Sequence, residues 1–200
     1  MADLQATQII SKLLSDNNGT IRTADVVAAG LSRTTLGQLV KDGVLERVAH
    51  GQYTRPDTFP DELHLIQRRA GKIVFSHETA LYLHDMAERA PLKHAVTIPA
   101  NSKLSPALGA DLKIYYVKPE FHDIGKCTLP SKWGHDVVAY NAERTVCDIL
   151  RSRSRIDTQT FAAALRNYTA GHRQNWKLLM EYAEVFRVTK LIHQYLEVLT

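Results

Sequence analysis

Between Thr23 and Arg55 the chain reads TADVVAAGLSRTTLGQLVKDGVLERVAHGQYTR, and each break in this stretch has a local physical cause. Thr23 can cap a helix beginning at Ala24, with Asp25 in the first turn against the positive end of the helix dipole. Gly30 can take the positive φ that ends this helix, and Leu31 then drops into the core as the apolar residue of the turn. Ser32 is a second N-cap. The helix it starts, Arg33 to Asp42, sets Leu36, Leu39 and Val40 on one stripe and turns Thr34, Gln38 and Lys41 to the opposite side. Gly43 ends it. Val44 to Val48, a turn at His50 and Gly51, and Gln52 to Arg55 read as the two strands of a small hairpin. Upstream, Leu4, Ile9, Ile10, Leu13 and Leu14 suit an amphipathic helix ended by Asn17, Asn18 and Gly19, which would complete a three-helix core.

Two short helices, a tight turn and a hairpin make the ground plan of a winged helix-turn-helix, whose second helix enters the major groove of duplex DNA. The outer face of Arg33 to Asp42 suits that task, because it carries small, amide and basic side chains and no bulky apolar group. Arg33 can bond guanine, Gln38 can bond adenine in a bidentate way, and Ser32, Thr34 and Thr35 can meet phosphates or bases near the helix start. Lys41 and Arg22 join this DNA-binding set. On the wing, Arg47, His50, Gln52 and Arg55 can contact backbone or minor groove, while Tyr53 can do so or pack under the hairpin. A winged helix used only for protein contacts is the competing reading. Charge keeps it open: up to Arg55 the basic residues are Lys12, Lys41, Arg22, Arg33, Arg47 and Arg55, against Asp3, Asp16, Asp25, Asp42 and Glu46. Any DNA affinity must then come from where the charges sit.

The 200 residues are 44% hydrophobic and 23% charged with a net charge of +4, a balance that predicts a soluble, intracellular protein with one or two packed domains. The start, MADLQATQIISKLLSDNNG, has neither a basic lead nor a long apolar run, so no signal peptide or membrane anchor is expected. Cys127 and Cys147 lack paired spacing, which points to reduced core thiols rather than a disulfide or a zinc site.

Pro56 to Pro60 is the expected boundary, giving a winged domain over 1–56 and a second domain over 61–200. Helices are expected at Glu62 to Ala70 and from a cap at Ser76 through Leu83, with strands at Ile73 to Phe75, Ala95 to Ile98, Leu112 to Val117, Ile124 to Leu129 and Val137 to Tyr140. Pro99 to Ala110 reads as a loop. Ala142 to Arg151, Thr158 to Tyr168, Gln174 to Phe186 and Val188 to Leu199 read as helices. The fold class is therefore α+β: a winged helix-turn-helix followed by a mixed α/β domain with a small sheet and a C-terminal helical cluster.

The block GLSRTTLGQLVKDGVLERVAHGQY, followed in order by FSHETALYLHDM, HAVTIP and VVAYNAERTVCDILRSR, resembles the AbiEi antitoxins of abortive-infection, phage-defence toxin–antitoxin systems. The resemblance covers nearly the whole chain. It implies a cytoplasmic transcriptional autorepressor that binds inverted repeats in its own operon promoter, as a monomer or a cooperative pair. It also implies a C-terminal domain that counteracts a cognate nucleotidyltransferase-like toxin in the type IV manner, without a stable complex being required. By the same resemblance, DNA reading falls on Ser32, Arg33, Thr34, Thr35, Gln38 and Lys41, with Arg47, His50 and Arg55 on the wing. For the second domain, Arg144, Arg151, Arg153, Arg155, Arg166 and Arg173 concentrate positive charge that can face DNA phosphates, an RNA or nucleotide, an acidic toxin surface, or only solvent. Glu143 beside Arg144 can stabilise the start of its helix.

Three signals point weakly to catalysis. His122-Asp123-Ile124-Gly125 spells a metal-dependent phosphohydrolase signature, but its strand-and-loop setting lacks the helical ligands that chemistry needs. His77, Glu78 and His84 fall on one expected helix, yet the spacing is not that of a zinc pair. Asp111 and Lys113 flank Leu112 without the Glu-x-Lys arrangement of a magnesium nuclease. No catalytic residue, metal or cofactor is expected. The classes left are an autorepressor and antitoxin, an antitoxin acting by direct toxin binding, and a DNA-tethered nucleic-acid-processing enzyme.

Overall fold

The structure is a computed structural model that describes residues 2–17, 19–171 and 174–196. The chain divides into two units, Met1–Leu65 and Ile66–Thr200, so the boundary falls inside a helix, α4 (Glu62–Arg69), beyond the proline-rich stretch.

In the first unit, α1 (Ala2–Asp16), β1 (Thr20–Arg22), α2 (Thr23–Ala28), α3 (Arg33–Lys41), β2 (Glu46–Ala49) and β3 (Gln52–Thr54) follow in order. Two glycines set the angles between them. At Gly30, φ is +86°, and the N–H groups of Gly30 and Leu31 donate back to Val27 and Val26. At Gly43, φ is +69°, and Gly43 and Val44 donate back to Val40 and Leu39. Both are Schellman ends, in which a left-handed residue turns the chain and satisfies the last helix carbonyls. The sheet is antiparallel in the order β1-β3-β2, with a register shift between Arg47 and Ala49 that bends the hairpin. Ile10, Leu14, Ile21, Val26, Leu36, Leu39 and Leu45 form the core, with Leu13, Leu31, Val40 and Tyr53 packed around it.

Two expectations need correction here. The start of α2 is capped from Arg22 rather than Thr23: the Asp25 carboxylate accepts the Arg22 backbone N–H at 2.9 Å and pairs with its guanidinium at 2.8 Å. The hairpin also gains a third strand, β1, too short to show a period in sequence, paired to β3 and anchored in the core by Ile21.

The second unit contains β4 (Val74–Phe75), α5 (His77–Leu83), β5 (His94–Pro99), α6 (Pro106–Gly109), β6 (Leu112–Val117), β7 (Lys126–Pro130) and β8 (Asp136–Tyr140). It ends with α7 (Ala142–Arg151), α8 (Thr158–Ala170), α9 (Trp176–Val185) and α10 (Thr189–Leu196). The one-turn α6 lies in the stretch expected to be all loop. The sheet order is β6-β5-β4-β8-β7, with β5–β6 and β4–β8 parallel and the other pairs antiparallel. Helix α7 is the axis of this unit. Every residue from Glu143 to Leu150 is buried, and α5, α8 and α9 pack on it. Asn141 caps it by accepting the Arg144 N–H at 2.9 Å. Among the described residues no helix is long and apolar enough to cross a membrane.

Candidate nucleic-acid interface

Ser32 fixes the start of α3, since its Oγ accepts the Thr35 N–H at 3.0 Å and lies 2.9 Å from Thr35 Oγ1. Those two hydroxyls therefore organise the helix end, while Arg33, Thr34, Gln38 and Lys41 stand exposed on its outer face. Gln38 is not free to turn. Its Nε2 donates one proton to Asp42 Oδ1 at 2.8 Å, which leaves Oε1 and the second Nε2 proton to face a ligand. A carboxylate only accepts, which fixes the orientation of the amide.

The hairpin supplies a second cationic edge. Arg47 donates from Nε to Ala49 O at 3.3 Å and lies with Nη2 3.0 Å from His50 Nδ1. Arginine has only donors, so Nδ1 of His50 accepts and a neutral ring carries its proton on Nε2. Between α3 and the hairpin turn lies a notch lined by Thr23, Arg33, Leu36, Arg47, His50, Gly51 and Tyr53. Leu36 and Tyr53 make an apolar floor, and two arginines and a histidine rim it. Such a notch can seat a backbone phosphate of a nucleic acid.

Other expected contacts are placed differently. Gln52 is 2% exposed and its Nε2 donates to Leu65 O at 3.2 Å, so it belongs to the interior of the first unit and is not a wing contact. Its place in β3, inward of half-buried Tyr53, explains this: alternate strand residues face opposite sides. Arg55 is exposed and reaches back toward Ser11 Oγ at 3.5 Å. Arg22 is exposed but paired with Asp25. The sequence reading missed Asp42 as a partner of Gln38, although the i,i+4 spacing was the signal for it.

The arginine cluster of the second unit is only partly a surface. Arg144 is 0% exposed: Nε bonds Asp148 at 3.1 Å, Nη1 donates to Phe121 O and Ile124 O, and the guanidinium lies 4.2 Å over Tyr140 and 3.8 Å over Phe186. It is thus a core clamp rather than part of a basic patch, because α7 is buried from Glu143 to Leu150. Glu143 is buried too, accepting the Asn175 N–H at 3.1 Å. Arg151, Arg153, Arg155 and Arg166 are exposed, and Arg173 lies outside the described residues.

The enzyme-like signals resolve into structure. Phe121 and Ile124 of the His122–Gly125 loop offer their carbonyls to Arg144, while Asp123 is exposed and bonds Lys126 at 2.5 Å. His84 lies 2.8 Å from Tyr140 O and His77 meets two serines, so the two histidines do not converge. Lys113 does find an acid, but it is Glu78 at 2.5 Å and not Asp111. Among the described residues no three His, Cys, Asp or Glu side chains are grouped to hold a metal. Cys147 is a buried thiol whose pKa burial pushes up to about 12.

A three-helix core, a hairpin and an exposed polar second helix define a winged helix-turn-helix regulator domain. Residues 8–56 match the family model for the transcriptional regulator, AbiEi antitoxin, so the first unit carries an AbiEi-type antitoxin regulator domain. No curated protein matches the chain. A crystal structure of the RV2827C protein from Mycobacterium tuberculosis is similar in fold, with a TM-score of 0.64 at 14% identity, covering 90% of this chain and 71% of that one.

Proposed function

We propose that this chain is a cytoplasmic antitoxin and autorepressor. Its first unit binds inverted repeats in the promoter of its own operon, and its second counteracts a nucleotidyltransferase-like toxin. The observation that carries the reading is the exposed polar face of α3 standing beside the Arg33–Arg47–His50 notch, in a domain that matches the AbiEi antitoxin regulators. Arg33 belongs to both features, so it bonds a base edge or a phosphate at the helix start. Gln38 presents Oε1 and reads an exocyclic amine, as on cytosine or adenine.

The test is a gel shift on the upstream promoter at two salt concentrations. Gln38→Ala should lose discrimination at one base position, with a loss of about 1–3 kcal/mol on the preferred operator. Arg33→Ala should weaken binding as well. If that loss is uniform across sequences and the salt slope shrinks by about one, Arg33 holds a phosphate; if it is confined to the operator, Arg33 reads a base. Parent-like binding by both variants would remove α3 from the interface.

A further inference from the structure

A hydrogen-bond chain in the second unit runs from its sheet to its surface. Thr97 Oγ1 on β5 donates to Ser76 Oγ at 2.8 Å. The Ser76 oxygen lies 2.9 Å from Nδ1 of His77, and it is the donor in the tautomer that carries the imidazole proton on Nε2. His77 is 3% exposed, and burial, then Lys113, Arg144, Arg155 and Arg151, hold its pKa well below the ordinary histidine value. The ring is therefore neutral, and in that tautomer Nε2 donates to Ser152 Oγ, 3.0 Å away. Ser152 receives this bond from inside and, being half-buried, keeps its own hydroxyl proton for the solvent side.

His77 is held there at a cost. Its φ is +47°, a left-handed backbone that is strained for a residue with a Cβ. Its ring lies flat on Tyr115 with centroids 3.4 Å apart, and the Arg155 guanidinium covers the same tyrosine at 4.3 Å. Tyr115 is 5% exposed, with the Lys113 ammonium 5.6 Å from its ring centroid. Lys113 ties the arrangement together by bonding Glu78 and the Arg155 carbonyl, the latter at 2.9 Å.

We propose that Ser152, Arg151 and Arg155 form a binding site for a phosphate dianion, free or carried on a monoester, with His77 as the residue that orients the serine hydroxyl. The charge balance selects a dianion. Asp148 is shared by Arg144 and Arg151, and Glu78 takes Lys113, so the cations around His77 exceed the carboxylates by two. A chain of hydrogen bonds that all point one way also polarises its last donor, and an anionic oxygen is the acceptor that completes it. Arg155, already spread flat over an aromatic ring, loses little freedom on adding a charge-assisted bond.

The site stands independently of DNA reading by the first unit, and its test uses the full chain without DNA. Calorimetric titration with inorganic phosphate, at constant ionic strength, should show saturable binding, and adenosine 5′-monophosphate should compete for it. Tighter binding of the nucleotide would identify the source as nucleotide, and tighter binding of phosphate as the free ion. Arg155→Gln should weaken binding about tenfold or more, and Ser152→Ala severalfold, while Arg166→Gln leaves it unchanged. Far-UV circular dichroism checks the fold of each variant. Should Arg155→Gln fail that check, Arg151→Gln and Ser152→Ala carry the decision. Absence of saturable phosphate binding in the parent, or parent-like binding by Ser152→Ala, would overturn the proposal.

Discussion

Asp42 shows how one side chain sets what its neighbour can read. By accepting the Gln38 amide it holds that residue in one pose, and it also puts a negative charge near the groove that α3 would enter. Asp42→Asn keeps a hydrogen-bonding partner but removes the charge. It should tighten duplex binding about fivefold at low salt, as expected for removing a repulsion of about 1 kcal/mol in water, with the gain fading at high salt. Fluorescence anisotropy at two ionic strengths measures this, and an unchanged or weaker affinity would show that α3's C-terminal end stays clear of DNA. Arg144 is the converse case. In sequence it stands beside Arg151, Arg153 and Arg155 as one more cation, and only the burial of Glu143 to Leu150 separates it from them.

At the level of elements, most of the architecture was legible because caps and stops are local. Ser32, Gly30 and Gly43 mark the ends of α2 and α3 by their own chemistry, and the residues of β6 and α7 were bounded by the sequence as the structure has them. Partners across the fold were not legible. Nothing adjacent to Gln52 announces Leu65, and nothing near the His122–Gly125 loop announces that its carbonyls hold Arg144. Gly125 makes that dependence testable: its φ is +78°, and a Cβ there would meet Arg144 Cβ at 2.6 Å. Gly125→Ala should therefore destabilise the second unit by about 3 kcal/mol, from backbone strain and displacement of the buried guanidinium together. Urea unfolding followed by circular dichroism reads the loss, and a change below about 1 kcal/mol would show that α7 yields easily to its neighbours.

For the molecule as a whole, buried histidines link stability to acidity. Burial and nearby cations hold His77 well below its unfolded value, and burial followed by Lys126 lowers His122 in the same direction. The unfolded chain takes up these protons as pH falls through about 6.5 while the folded chain does not, so their contribution is complete above that pH and lost below it. His77 contributes a slope of up to about 1.4 kcal/mol per pH unit there, and His122 adds to it in the same direction. Thermal unfolding between pH 7 and 5 should show a falling Tm, and His77→Gln should flatten the fall whatever its effect at neutral pH. An unaltered slope would mean that His77 takes up its proton in the folded state.

The order of the strands also bears on synthesis. The first unit ends at Leu65, and its widest sheet pairing joins Thr20 to Thr54. In the second, the central strand β4 cannot gain its parallel partner until Ala139 is available to Phe75, and α7 follows only after that. Closing so long a loop is slow compared with local pairing. During translation the first unit can therefore be folded while the later sheet still lacks β8, so the two units would fold on the ribosome in sequence.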